Sequence, residues 1–141
     1  MMRFPLLVLM LPAFIHCAQQ PEQVITSVWP DGSAKREVTL AHGDSTAVRT
    51  FYQNGTVEKT GFYDAGQKTG TWSAFYEDGL PWSEHHYYQD IQVGLYRTWH
   101  PNGQLFIEGS YNDEGAPSGT WTFKNDQGNI IRSIEGEALN P

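Results

Sequence analysis

A glycine-closed turn that returns about every two dozen residues constrains this 141-residue chain more than any other feature. It reads WPDG (Trp29–Gly32), YQNG (Tyr52–Gly55), YEDG (Tyr76–Gly79), WHPNG (Trp99–Gly103) and, more loosely, FKNDQG (Phe123–Gly128). The glycines stand at 32, 55, 79, 103 and 128, in steps of 23, 24, 24 and 25. A fixed period of this length marks a repeat architecture, in which each unit is one supersecondary element stacked on its neighbours. Other columns keep step. Gly70, Gly94 and Gly119 each open a strand-like run, with Trp72, Tyr96 and Trp121 two places on; Thr46 and Val48 hold those places in the earliest unit. Gly61, His85 and Gly109 fall six residues after turn glycines, and Tyr63, Tyr87 and Tyr111 eight after.

Asn-Gly and Asp-Gly between alternating segments are strong hairpin signals, and they predict type I′ turns, whose two central residues both need φ > 0. Further turns are expected at Gly66 and Gly115, and Asp90 stands where the pattern has a turn glycine. Between turns the residues alternate, so Trp72, Ala74 and Tyr76 share one face and Thr71, Ser73 and Phe75 the other. Leu105, Ile107, Gly109 and Tyr111 repeat the pattern, and Ile130, Arg132 and Ile134 do so less cleanly. The expected fold is all-β: an antiparallel meander of four to five repeated hairpins in an elongated single sheet. With 5 Trp and 7 Tyr, each burying roughly 150–250 Å², the core is expected to be a ladder of equivalent rings: Trp72, Tyr96, Trp121, Tyr63 and Tyr111. Aromatics on the opposite positions, Trp82, Tyr87, Tyr88, Trp99 and Phe106, form a possible binding face unless the sheet curls and buries both rows.

Met1 to Cys17 reads MMRFPLLVLMLPAFIHC: one Arg, a short apolar run, then a polar stretch. The run is too short for the roughly 20 residues that a membrane helix needs, and the pattern is that of an export signal. Cys17, the one cysteine, closes the run and resembles the acylated cysteine of a bacterial lipoprotein; ordinary cleavage near Cys17 or Ala18 is the alternative. The expected organisation is a signal over 1–17, a tether leading into a first strand over 18–28, a repeat domain over 29–136 and a tail over 137–141. The expected location is the bacterial cell envelope, with membrane contact only through an N-terminal lipid, or otherwise the periplasm or medium.

Units of the form G-x-W-x-x-[FY]-Y-x-x-G, followed by an aliphatic strand and G-x-Y-x-x-G, resemble the variant MORN repeat. Gly70-Thr71-Trp72 with Phe75-Tyr76-Glu77-Asp78-Gly79 carries the match, as do Gly94-Leu95-Tyr96 with Asn102-Gly103-Gln104-Leu105. Gly109-Ser110-Tyr111, Gly119-Thr120-Trp121, and Tyr52-Gln53-Asn54-Gly55 with Gly61-Phe62-Tyr63 extend it over residues 46–136. The units are also similar to YwqK-type proteins, described as antitoxin components of toxin–antitoxin systems. That resemblance implies a protein-binding role.

No catalytic constellation accompanies the repeats. There is no GxSxG elbow, the glycines do not precede helices as a phosphate loop requires, and carboxylate pairs such as Asp64 with Glu77 or Asp113 with Glu114 lie in turn contexts, where Asp is favoured. His85 and His86 are adjacent, so in a strand they point to opposite faces and cannot easily share an ion, with His100 or without it. Nine Lys+Arg against 16 Asp+Glu give a formal charge of −7, which argues against nucleic acid. The sequence therefore points to a non-catalytic, cofactor-free module that binds or scaffolds another protein, with a carbohydrate- or cell-wall-binding aromatic array as the alternative.

Overall fold

The computed structural model describes residues 20–139. Met1 to Cys17, with its apolar run and cysteine, lies outside them. Ten strands follow in order: β1 (Glu22–Val28), β2 (Ala34–Ala41), β3 (Asp44–Phe51), β4 (Val57–Asp64), β5 (Gln67–Phe75), β6 (Pro81–Tyr88), β7 (Ile91–Trp99), β8 (Leu105–Tyr111), β9 (Pro117–Lys124) and β10 (Ile130–Glu135). All belong to one antiparallel sheet whose spatial order is the chain order. This is the all-β meander of hairpins that the glycine period predicts. β1 occupies the latter part of the stretch read as tether and first strand, and Gly136–Leu139 form a short 3-10 turn that packs back on β9, where Gly136 is buried.

The turns differ from expectation in type, and the difference has a chemical cause. Gly55 N–H donates to the Tyr52 carbonyl at 3.0 Å, and Tyr52 N–H to that of Thr56 at 2.8 Å; the Trp29, Tyr76, His100, Asn112 and Asn125 turns repeat this pattern. In each of them only the glycine has positive φ, as at Gly55 (86°). These are type I turns closed by a left-handed glycine in a G1 bulge, not type I′ turns. In the first four turns the side chain before the glycine accepts the N–H two residues on, as Asn54 Oδ1 from Thr56 at 2.8 Å and Asp78 Oδ1 from Leu80 at 3.0 Å; in the last two the opening Asn112 and Asn125 accept instead. In two of these turns, Pro30 and Pro101 are a sequence signal for type I. A proline fixes φ near −65°, which suits the first central position of type I and forbids I′. Type I′ geometry lies at the opposite end of the sheet, at His42-Gly43 (φ 53° and 90°), Ala65-Gly66 (48°, 80°) and Gln89-Asp90 (49°, 68°).

The same hydrogen bonds set the alignment of the units. Gly103 N–H bonds His100, so the residue equivalent to Tyr52 and Tyr76 is His100, not Trp99. Tyr76 likewise belongs to its turn rather than to the face of Trp72 and Ala74. Gly70, Gly94 and Gly119 lie inside β5, β7 and β9 with φ of 62°, 66° and 62°. Three residues of β5 there oppose the single Gly61 of β4, between the pairs Thr60–Ser73 and Phe62–Thr69. The pairings onto the following strand run unbroken past these glycines in β5 and β7, as in Gly70–Tyr87 and Gly94–Tyr111.

Candidate functional site

Register puts the aromatic ladder on one face. Tyr63 meets Trp72 edge-on with ring centroids 5.2 Å apart, and Trp72 meets Tyr87 at 6.1 Å. Tyr87 reaches His85 at 6.4 Å, His85 reaches Tyr96 at 4.9 Å, and Tyr96 reaches Trp121 at 5.2 Å and Tyr111 at 6.0 Å. All five rings read as the ladder are thus joined. The row also takes in Tyr87, assigned above to the second face, and His85, which a reading of aromatics alone passes over. Tyr88, next to Tyr87, faces the other way by strand alternation.

Each rung pairs two columns whose sizes compensate. A Cβ at Gly61 would overlap the Trp72 ring, and one at Gly109 the Trp121 ring, so each indole lies directly on backbone. The middle unit has the larger His85 opposite the smaller Tyr96, and the first has Val38 opposite Val48. Trp72 is 9% exposed and Trp121 4%, so neither ring offers an open face. Trp72 Nε1 donates to the Phe62 carbonyl at 3.2 Å, whereas the buried Trp121 N–H has no acceptor among the described residues.

The other residues read as a binding face are not brought into one row. Trp82 is 51% exposed and leans on Tyr76 of its own turn (6.4 Å); Phe106 does the same on His100 (4.6 Å). Lys35 occupies the equivalent place over Trp29 at 4.3 Å. Trp99 is half-buried, its carbonyl accepting from Tyr76 Oη at 2.8 Å. Tyr88, 62% exposed, stands at the opposite end beside the Gln89-Asp90 turn. Turn aromatics instead tie successive units together: Trp29 Nε1 donates to Phe51 O (3.1 Å), Tyr52 Oη to Phe75 O (2.8 Å), and His100 Nε2 to Lys124 O (2.9 Å). Because a carbonyl only accepts, His100 must carry its proton on Nε2.

The ladder face contains a groove of about 260 Å³, lined by Lys59, Lys68, Trp72, Ser73, Ala74, Trp82, Ser83, His85 and Tyr87. The Lys68 ammonium sits 4.8 Å from the Trp72 centroid and 5.0 Å from that of Tyr87, within cation–π range of both. Burial, and behind it the charges of Lys68, His86 and Lys59, holds the His85 imidazole below its ordinary value, against the opposing pull of Gln92 2.9 Å away. Burial therefore favours the neutral imidazole. His86 lies across the sheet beside Glu84 (3.6 Å), and His100 in its turn, so the three histidines do not converge. The opposite face is polar, with the cross-strand pairs Arg49–Glu37 at 2.6 Å and Arg97–Glu108 at 2.7 Å.

Comparison with known proteins bears on the repeat itself. The family described as the MORN repeat variant matches residues 47–65 and 92–113, which are the β3–β4 and β7–β8 hairpins with their glycine turns. No curated protein matches the chain. Among solved structures, the crystal structure of a GtfA/B complex bound to UDP and GlcNAc is similar at 13% identity and a TM-score of 0.28, over 93% of this chain. The chain spans about a quarter (26%) of the length of that protein. Two of the hairpin units read from the glycine period, those at residues 47–65 and 92–113, therefore match the MORN repeat variant.

Proposed function

We propose that this chain is a non-catalytic module that presents its aromatic face to a protein partner at the bacterial cell envelope. One observation carries the reading: the strands pair only with their chain neighbours in one sheet, and among the described residues no second sheet or helical layer packs on the ladder face. A sheet normally buries its apolar face against another element. One left open, with a groove in it, favours docking. Crosslinking in envelope fractions followed by purification tests this; one stoichiometric protein is the supporting result, and capture of none rejects it.

Placement at the envelope draws on the export-type segment and Cys17. Fractionation of Cys17→Ser checks it: release from the membrane supports a lipid anchor, and continued retention rejects it. The likeness to YwqK-type proteins supports a toxin as the class of partner. Co-expression with the product of a neighbouring toxin-like reading frame should then restore growth, and failure to do so rejects that assignment. The glycan alternative gains little, because sugar stacking needs open ring faces and the ladder tryptophans have none. Absence of tryptophan quenching on polysaccharide would agree.

A further inference from the structure

We infer that the groove on the ladder face is an anion site that takes a carboxylate side chain, Asp or Glu, from an acidic segment of a protein partner. This extends the binding-module reading to the chemistry of the partner.

The chain has four lysines, and two of them, Lys59 and Lys68, line this one groove. Neither has a carboxylate within ion-pair distance among the described residues, whereas Arg49 and Arg97 are each paired on the opposite face. No acidic residue lines the groove. Two cations collected in an acidic protein without counter-charges leave a positive spot that an outside anion would complete. Lys68 is also placed in advance: the Trp72 and Tyr87 rings fix its ammonium, so a ligand meets a charge already in position, which lowers the ordering cost of binding. His85 lines the same groove, bonded to Gln92. The net charge of −7 is little obstacle, since at physiological ionic strength charges beyond about 8 Å are largely screened.

Size selects the ligand. A volume of about 260 Å³ lies below the roughly 300–1,000 Å³ of sites that enclose drug-sized molecules. It suits one acidic side chain and part of its neighbour. Trp72, at 9% exposure, cannot stack on a sugar ring, and the groove's remaining tryptophan, Trp82, leans on Tyr76; an acidic peptide is the occupant proposed, and the galacturonate arm of the test distinguishes it from an acidic glycan.

The test is calorimetric titration of the full chain with a capped ten-residue peptide of alternating Glu and Leu. Its Gln–Leu counterpart and a galacturonate oligomer are titrated in parallel. The expected result is binding of the Glu peptide alone, weakening with salt, and a loss of at least tenfold in Lys59→Gln/Lys68→Gln with most affinity kept in Lys68→Arg. Equal binding of the Gln peptide, unchanged affinity in the double variant, preference for galacturonate, or no binding of any probe would each overturn the site. Lys59→Gln alone leaves the Lys68 contacts with Trp72 and Tyr87 in place and keeps the test decisive if the double variant unfolds; it too should weaken binding. An envelope protein that crosslinks equally to wild type and double variant would sink this site and leave the binding-module reading standing.

Discussion

At the scale of single residues, stability rests on how closely an indole can approach a backbone. Trp72 on Gly61 and Trp121 on Gly109 are contacts that only glycine permits. Trp72→Ala or Trp121→Ala should cost about 3–5 kcal/mol in urea unfolding, the usual cost of truncating a buried Trp. Gly61→Ala should cost about 1–3 kcal/mol by overpacking, and much less in a Trp72→Ala background, where the clashing ring is gone. Equal costs in both backgrounds would show that the two residues do not interact. The two indoles should also differ. Trp72→Phe leaves the Phe62 carbonyl without its donor, whereas Trp121→Phe removes an N–H that has no acceptor. The first should therefore lose about 1 kcal/mol more. Asp31 offers a check by titration. Hydrogen bonds from the Ser33 hydroxyl, Gln53 and the Ser33 backbone hold its carboxyl down at about 2, against an ordinary 3.8. Because the folded value is the lower one, its contribution is complete above 3.8 and is lost as pH falls through about 2. NMR titration should find the low value, and Ser33→Ala should raise it.

At the scale of the element, one end of the sheet uses type I turns with a G1 bulge throughout, and the other uses type I′ turns except at the Asn112 turn between β8 and β9; this is where sequence reading reached its limit. The period, the hairpins and the ladder columns were legible because spacing and alternation survive without coordinates. Asn-Gly and Asp-Gly serve both I′ and G1 geometries; Pro30 and Pro101 point to type I in two of the turns, but the Tyr52 and Tyr76 turns take the same geometry with Gln53 and Glu77 in that place, so the dipeptide alone does not fix the turn type. The second aromatic row was misread for a related reason. Bulges at the strand ends shift the register, as between Ala74 and Phe75, so strict alternation fails near turns, and Trp82 and Phe106 lie against Tyr76 and His100 instead. The groove was not legible at all, since Lys59 and Lys68 come from different strands and are joined only by pairing. Among the type I′ turns, Gln89-Asp90 alone lacks glycine, with φ of 49° and 68°. Asp90 is held there by two bonds to β5: its N–H donates to Lys68 O (3.1 Å), and its Oδ1 accepts from Lys68 N–H (2.8 Å). Gln89 has no such tie in view, so Gln89→Asn, which adopts the left-handed region more readily, should raise stability by roughly 0.5 kcal/mol. No change in the urea midpoint would show that this turn carries no strain.

At the scale of the whole molecule, the sheet behaves as a one-dimensional array. Its strands pair only with their chain neighbours, and side-chain contacts between units reach one strand or turn further, as from Tyr96 to Trp121, from Tyr52 to Phe75 and from Tyr76 to Trp99. Stability is then a sum of unit terms and nearest-neighbour terms, and a unit at an edge has one neighbour instead of two. The ladder sharpens this. Its rings run from Tyr63 to Trp121, so β1 lies beyond it, with Ile25 and Val28 exposed, while Ile130 and Ile131 are exposed on β10. Opening from an end breaks one interface and few ring contacts, whereas opening in the middle breaks two interfaces and several rungs. Native-state hydrogen exchange should therefore show a gradient, with the greatest protection in β5–β8 and progressively less toward β1 and β10. Trp72→Ala should lower protection through the middle units, whereas a change confined to β1, such as Val24→Ala, should leave β5–β8 as they were. Uniform protection across all ten strands would mean that the sheet opens as a single cooperative unit, and the nearest-neighbour description would fail.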